Sequence, residues 1–240
     1  MNYSNIFKSS INKLKVEGRY RYFNEIERKA GKHPYASWIS ESKKNDIIVW
    51  CSNDYLGMSQ SKLVINSMID SVKNMGTGSG GTRNISGNSS AIVNLENELA
   101  DLHSKEKAVV FSSGYVANES TLSTLLDILK EPVVFSDEKN HASIISGIKK
   151  SKASKAIFKH NDLNHLENLL KKYPEKKPKI IIFESIYSMD GDFGDISGIS
   201  KIAKKYNALT YLDEVHAVGM YGKKGSGLAE ELDLQDSIDI

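Results

Sequence analysis

Cysteine is nearly missing from this chain. Cys51 stands alone among 240 residues, so no internal disulfide can form and nothing marks an oxidising compartment. Long apolar runs are missing too: the most apolar stretch, Ile180-Ile181-Ile182-Phe183, is far too short to span a bilayer. Met1 to Leu14 mixes Asn, Ser and Lys without the continuous apolar core of a secretory signal, so a cytoplasmic or matrix-like location and no membrane partner are expected. An excess of one charge is lacking as well. The 32 Lys and Arg oppose 30 Asp and Glu, for a net +2, which removes the electrostatic case for a nucleic-acid partner. Only 4 prolines and 17 glycines occur, which excludes collagen-like and low-complexity classes. The 40% hydrophobic content over this length is enough for a real core.

What is there is a regular alternation. Residues 1 to 30 carry Ile6-Phe7, Ile11, Leu14, Tyr22-Phe23 and Ile26 at roughly helical spacing, and Pro34 closes that arm. After a polar stretch, Ile47-Ile48-Val49-Trp50 reads as a strand, so an arm over 1–45 and a main domain over 46–240 are expected. Leu63 to Met75 has helical periodicity, as do Ile92 to Leu102 and Val116 to Leu129, the last two flanking a strand-like Ala108 to Phe111. Strands at 132–135, 155–159, 179–183 and 209–212 then alternate with helices at 143–150, 163–173 (N-cap Asp162) and 196–206. That order predicts an α/β domain on a largely parallel sheet, whose site belongs at the carboxyl ends of the strands.

Polar clusters fall at those ends. Ser112-Ser113-Gly114-Tyr115 follows a strand and opens a helix, which suits either an anion facing free N–H groups or an ordinary N-cap. Asp213-Glu214-Val215-His216 follows the last strand: a carboxylate there can hold a protonated ring nitrogen, or the Asp can cap a helix beside a solvated His. Asn140-His141-Ala142-Ser143 and Glu184 to Asp192 occupy two more strand ends. The loop Gly76-Thr77-Gly78-Ser79-Gly80-Gly81 has dinucleotide-fingerprint spacing but follows a helix, so it reads as a helix cap or an anion-facing loop continuing through Thr82-Arg83-Asn84. No Gly-x-Ser-x-Gly elbow supports a hydrolase, and no HExxH or cysteine cluster supports a metal site.

Taken in order, Glu17 to Arg21, Val49 to Met58, Gly78 to Gly87, Phe111 to Asn118, Asn140 to Ser143, Phe183 to Gly194 and Asp213 to Tyr221 resemble the α-oxoamine synthases. These are fold-type I enzymes that use pyridoxal 5'-phosphate. The resemblance implies the large-domain part of that α/β fold, with a mostly parallel sheet and an N-terminal helical arm. It implies that Asp213 pairs with the pyridine nitrogen, that His216 and Ser188 hydrogen-bond the phenolic oxygen, and that His141 stacks on the ring. Ser113, Gly114 and Tyr115 would receive the phosphate and Asn53 the glycine carboxylate. Arg21, Thr82 and Asn84 would hold a succinyl carboxylate, while Ser136 and Lys155 would meet coenzyme A. The Arg-Tyr-Arg segment and Thr82 favour the branch that condenses glycine with succinyl-CoA, releasing CoA and CO2, over the branch that takes alanine and pimeloyl-CoA. A non-catalytic subunit is the alternative from another class. The family's Schiff-base lysine lies beyond the segment that matches Ser237 to Ile240, and Lys223 and Lys224 do not match its motif. The chain is thus expected to be the N-terminal part of such an enzyme, inactive alone and homodimeric when complete.

Overall fold

The computed structural model describes residues 1–41 and 43–240. The chain divides into two compact units, Met1–Gly78 and Ser79–Ile240. In the first, helix α1 (Tyr3–Val16) is capped by the Asn2 side chain, which accepts from the Asn5 N–H. The helix expected to run on to residue 30 stops there, because Gly18 turns into the left-handed region at φ 66°. Ile26 lies instead in strand β1 (Glu25–Arg28), paired antiparallel with β2 (Tyr35–Ser40), Ile26 opposite Trp38. Strand β3 (Lys43–Ile48) completes this sheet and begins earlier than expected, because ladder pairing with β2 recruits the polar Lys43 to Asp46. Helix α2 (Lys62–Met75) closes the unit.

The second unit holds the alternation. Short helix α3 (Arg83–Ser86) leads to α4 (Ser90–Leu102) and α5 (Gly114–Ile128). There follow β4 (Val133–Asp137), α6 (Ala142–Lys150), β5 (Ser154–Phe158), α7 (Leu163–Leu170), β6 (Lys179–Glu184), α8 (Ile196–Lys205) and β7 (Leu209–Asp213), with a short α9 (Leu228–Glu231) at the end. Asp162 caps α7 as expected, accepting from the His165 N–H at 2.8 Å. Strands β4 to β7 form one parallel sheet in the order β5-β4-β6-β7.

Both sheet faces are covered, which is why the central strands read as unbroken apolar runs. Val134, Ile180 and Ile182 pack with Leu122 and Leu126 of α5 and Ile144 and Ile148 of α6. Val133, Phe135, Ile181 and Phe183 point to the other face, against Leu166 and Leu170 of α7 and Ile199 of α8. Each such side chain contributes about 1.5–3 kcal/mol by leaving water. Gly147 sets the distance between α5 and α6: a Cβ there would stand 2.9 Å from both the Asn118 carbonyl oxygen and the Leu122 Cβ.

Ala108 to Phe111, expected as a strand, has no ladder partner among the described residues. The Val110 N–H donates instead to Glu96 Oε1 at 2.8 Å. Between this segment and β7 lies a cleft of about 850 Å3 lined by Val109, Phe111, Tyr211, Leu212 and Ile238. A β-prone sequence becomes a strand only where a neighbour lies within ladder reach. The outer edge of β7 pairs instead with the last residue, the Leu212 N–H donating to the Ile240 oxygen and the Ile240 N–H to that of Thr210.

Candidate active site

The chain order and the spatial order of the sheet decide where a ligand fits. From β4 the chain moves outward to β5 and then returns to the opposite side of β4 as β6. The crevice beyond the carboxyl ends of β4 and β6 is therefore the switch point, where connections leave in opposite directions. His141 follows β4, Glu184 ends β6 with Ser188 beyond it, and Asp213 ends β7.

One buried amide ties these elements together. Asn118, on the second turn of α5, donates from Nδ2 to Asp213 Oδ2 at 2.7 Å and to Ser143 Oγ at 3.0 Å. Its Oδ1 accepts from the Tyr211 hydroxyl at 2.8 Å. Ser143 Oγ lies 2.8 Å from His141 Nδ1, which also accepts from the Ser143 N–H at 3.3 Å. With Nδ1 as the acceptor, the exposed ring is set by a chain running back to Asp213. Asp213 Oδ1 accepts from the Val215 N–H at 2.9 Å. Neither of these two donors, a side-chain amide and a main-chain N–H, carries a charge that would offset a carboxylate's against a cationic ligand.

The start of α5 is open. Ser113 caps it, Oγ accepting from the Val116 N–H at 3.2 Å, and residues 113–115 are exposed. Their remaining N–H groups carry the positive end of the helix dipole. Tyr115 meets His141 edge to face with ring centroids 6.4 Å apart. Ser188 is exposed in a turn closed by the Tyr187 N–H on the Asp192 oxygen and the Gly191 N–H on the Tyr187 oxygen. His216 is half-buried in the turn after β7.

The remaining expected residues are on other elements. Thr82 and Asn84 are exposed at α3, where Arg83 forks onto Glu96 at 2.9 and 2.6 Å. Lys155 is exposed on the edge strand β5. Ser136 is buried, and its hydroxyl is taken up by the Asp137 oxygen and the Asn140 amide. Arg21 and Asn53 are exposed in the first unit.

Sequence reasoning did not single out Asn118 or Glu184 as site residues. The signals were present: a polar residue on the apolar face of α5, and a carboxylate directly after Phe183. It also missed a clasp at the crevice wall. His160 lies between Asp137 Oδ1 at 2.9 Å and Asp192 Oδ2 at 2.7 Å, with its ring against Tyr187. Burial disfavours the imidazolium, but hydrogen bonds to the two carboxylates outweigh it and raise the His160 pKa above the ordinary 6.5. A raised folded value makes the clasp stabilising below about pH 6.5 and loses that contribution as pH rises through the folded pKa. His160→Ala is therefore expected to cost about 1 kcal/mol more at pH 6 than at pH 9 in urea unfolding. Equal costs at both pH values would show a neutral ring.

The family model for class I and II aminotransferases matches residues 45–239. The chain belongs to that family. It is 55% identical to the 5-aminolevulinate synthase of Rickettsia prowazekii (strain Madrid E) over 238 residues, 99% of this chain and 56% of that protein. It is 49% identical to the 5-aminolevulinate synthase of Bradyrhizobium diazoefficiens over 240 residues, 100% of this chain and 59% of that protein. The chain thus spans less than two thirds of the length of these relatives. Among solved structures of the same fold, the S. paucimobilis serine palmitoyltransferase K265A with a bound PLP–myriocin aldimine superposes with a TM-score of 0.83 at 30% identity, covering 97% of this chain and 57% of that one. The 8-amino-7-oxononanoate synthase of Francisella tularensis is more distant, with a TM-score of 0.62 and 26% identity, covering 77% of this chain and 50% of that one. The fold is the α/β fold type I of pyridoxal-phosphate transferases in this family.

Proposed function

We propose that this chain carries the cofactor site of a 5-aminolevulinate synthase, which joins glycine to succinyl-CoA and releases CoA and CO2. The observation that carries the reading is the shared anchoring of Asp213 and His141 through Asn118 and Ser143, beside the open start of α5. A carboxylate with neutral donors, an exposed imidazole and a ring of free N–H groups fit the three parts of pyridoxal 5'-phosphate: protonated ring nitrogen, aromatic face and phosphate. Bound there, the cofactor supplies an electron sink for charge at the amino acid's α-carbon.

This chain's own residues do the rest. Asp213 keeps the ring nitrogen protonated by placing a full negative charge against it. His141 covers one face of the ring, its plane held by Ser143. Ser113, Gly114 and Tyr115 bind the phosphate through main-chain N–H groups. Ser188 and His216 serve the phenolic oxygen, Asn53 orients the glycine carboxylate, and Arg21, Thr82 and Asn84 take the succinyl carboxylate. Ser136 and Lys155 are assigned to coenzyme A, of which the exposed Lys155 has the freer side chain. In this reading residues 46–240 belong to the large domain and 1–45 to an arm. A second copy of the chain is the expected partner, and the solvent exposure of Phe7, Phe23 and Trp50 supports it. A cytoplasmic location belongs to the same proposal and rests on the bacterial source of these relatives. No helix among the described residues is long and apolar enough to cross a membrane.

Succinyl-CoA is favoured over pimeloyl-CoA because the relatives at 49% and 55% identity are named 5-aminolevulinate synthase, whereas the oxononanoate synthase is 26% identical. The acyl site is tested in a longer polypeptide that carries this chain and forms 5-aminolevulinate. Arg21→Leu is expected to raise the KM for succinyl-CoA about tenfold or more, the worth of one charge-assisted hydrogen bond, with the glycine KM within about twofold. Steady-state kinetics with each substrate varied decides it; equal changes in both would remove Arg21 from acyl recognition.

A further inference from the structure

Glu184 has no assigned contact with cofactor or substrate, yet its side chain sits behind the site. The residue is 1% exposed at the end of β6. Its carboxyl Oε1 accepts from the His141 backbone N–H, and the Ser188 backbone N–H faces the same carboxyl and favours its charge. Across the ladder its neighbour is Asp213. One buried carboxyl thus touches the main chain of two residues that bracket the proposed ring, and lies beside the strand position of the third.

We propose that Glu184 is a positioning residue, which fixes the backbone at His141 and at Ser188 together and keeps both in register with Asp213. The proposal rests on the cofactor reading above. Gln at this position keeps the carbonyl acceptor; Ala leaves two N–H groups without it.

The charge on Glu184 adds a second consequence. Asp213 faces it from β7, Asp137 from β4, Tyr187 from the following turn and His141 from the start of α6, with Glu214 beyond Asp213. Burial, with the repulsion of Asp213 and Asp137 added and the two N–H donors opposing, pushes the Glu184 pKa up to about 7. A cation bound at Asp213 cancels part of that repulsion, so Glu184 gives up part of its proton when a protonated ring binds.

The experiment uses the 240-residue chain with pyridoxine 5'-phosphate, which has the ring and phosphate but no aldehyde, so a lysine adduct plays no part. Glu184→Ala is expected to weaken binding about tenfold and Glu184→Gln to restore it to within about threefold at pH 7. Without any ligand, the amides of His141 and Ser188 should exchange with solvent at least about tenfold faster in Glu184→Ala than in the wild type. Calorimetry in buffers of different ionisation enthalpy should show the wild type releasing a fraction of a proton, at most about half, more than Glu184→Gln near pH 7. Unchanged affinity and unchanged amide exchange in Glu184→Ala would overturn the proposal; so would equal proton release by wild type and Glu184→Gln with protection of both amides retained in Glu184→Ala. If Glu184→Ala does not fold, Glu184→Gln and the proton count decide alone. If the wild type does not bind the probe, the cofactor reading falls, and amide exchange measured without probe still decides whether Glu184 holds the two segments.

Discussion

Asp213→Ala is expected to lower the affinity for pyridoxine 5'-phosphate by roughly 30- to 1000-fold, the 2–4 kcal/mol that a desolvated charge partner commands. Stability should change much less. The substitution frees one amide hydrogen of Asn118 and the Val215 N–H, at a cost of about 1–2 kcal/mol. Asn118 keeps its bonds to Ser143 and Tyr211, so His141 should stay in place and the phosphate contacts should survive. Titration of the variant with the probe, set beside its urea unfolding curve, separates the two effects. Affinity within about twofold of the wild type would show that Asp213 does not face the ring nitrogen. Asp213→Asn sharpens the test, since it keeps the shape and removes the charge; it should resemble Asp213→Ala in affinity and the wild type in stability.

Gly194→Ala is expected to destabilise the second unit by about 3 kcal/mol, at the upper end of overpacking costs. An added Cβ would stand 2.2 Å from the Glu184 carbonyl oxygen and 3.6 Å from the Tyr187 ring. A main-chain oxygen at the end of a central strand cannot swing away as a flexible side chain can. The turn 185–194 must move instead, breaking the Gly194 N–H bond to the Ser185 oxygen at 2.9 Å and with it the placement of Ser188. Urea unfolding measures the loss, and the amide exchange of Ser188 reports the displacement. A variant as stable as the wild type would show that the turn has a second arrangement at low cost. The position illustrates a glycine needed for close approach, with no positive φ involved.

Much of the second unit was legible in the sequence because its elements are set by local pattern. The runs at 179–183 and 209–212, the helical stripe at 163–173 and the Asp162 cap each carry their own signal: β6 and β7 appear where expected, and α7 starts at its cap but ends at Leu170, short of the expected 173. Where pairing decided, the pattern was insufficient. Ile26 sits at helical spacing but joins a strand because β2 offers a ladder after Gly18 ends α1. Ala108 to Phe111 has strand-like residues but no neighbour in reach, and the carboxylate of Glu96 takes the Val110 N–H.

The same division holds for the site. Asp213, His141 and Ser188 could be named as candidates because they stand at or beyond the carboxyl ends of buried strands, where an open α/β sheet builds its ligand crevice. Which strand ends share one crevice was a matter of strand order, and the order β5-β4-β6-β7 places the switch point between β4 and β6. Asn118 and Glu184 were hidden for a related reason. Each is a single polar residue whose meaning comes from partners 95, 25 and 43 positions away in the chain, and distances of that kind exist only after the sheet has formed. The sequence by itself determined the elements and the chemistry each strand end carries, because hydrophobic period and caps act within a few residues. Tertiary structure alone decided which of those ends meet and what buried groups hold them, because a hydrogen bond between distant residues depends on packing that no local pattern encodes.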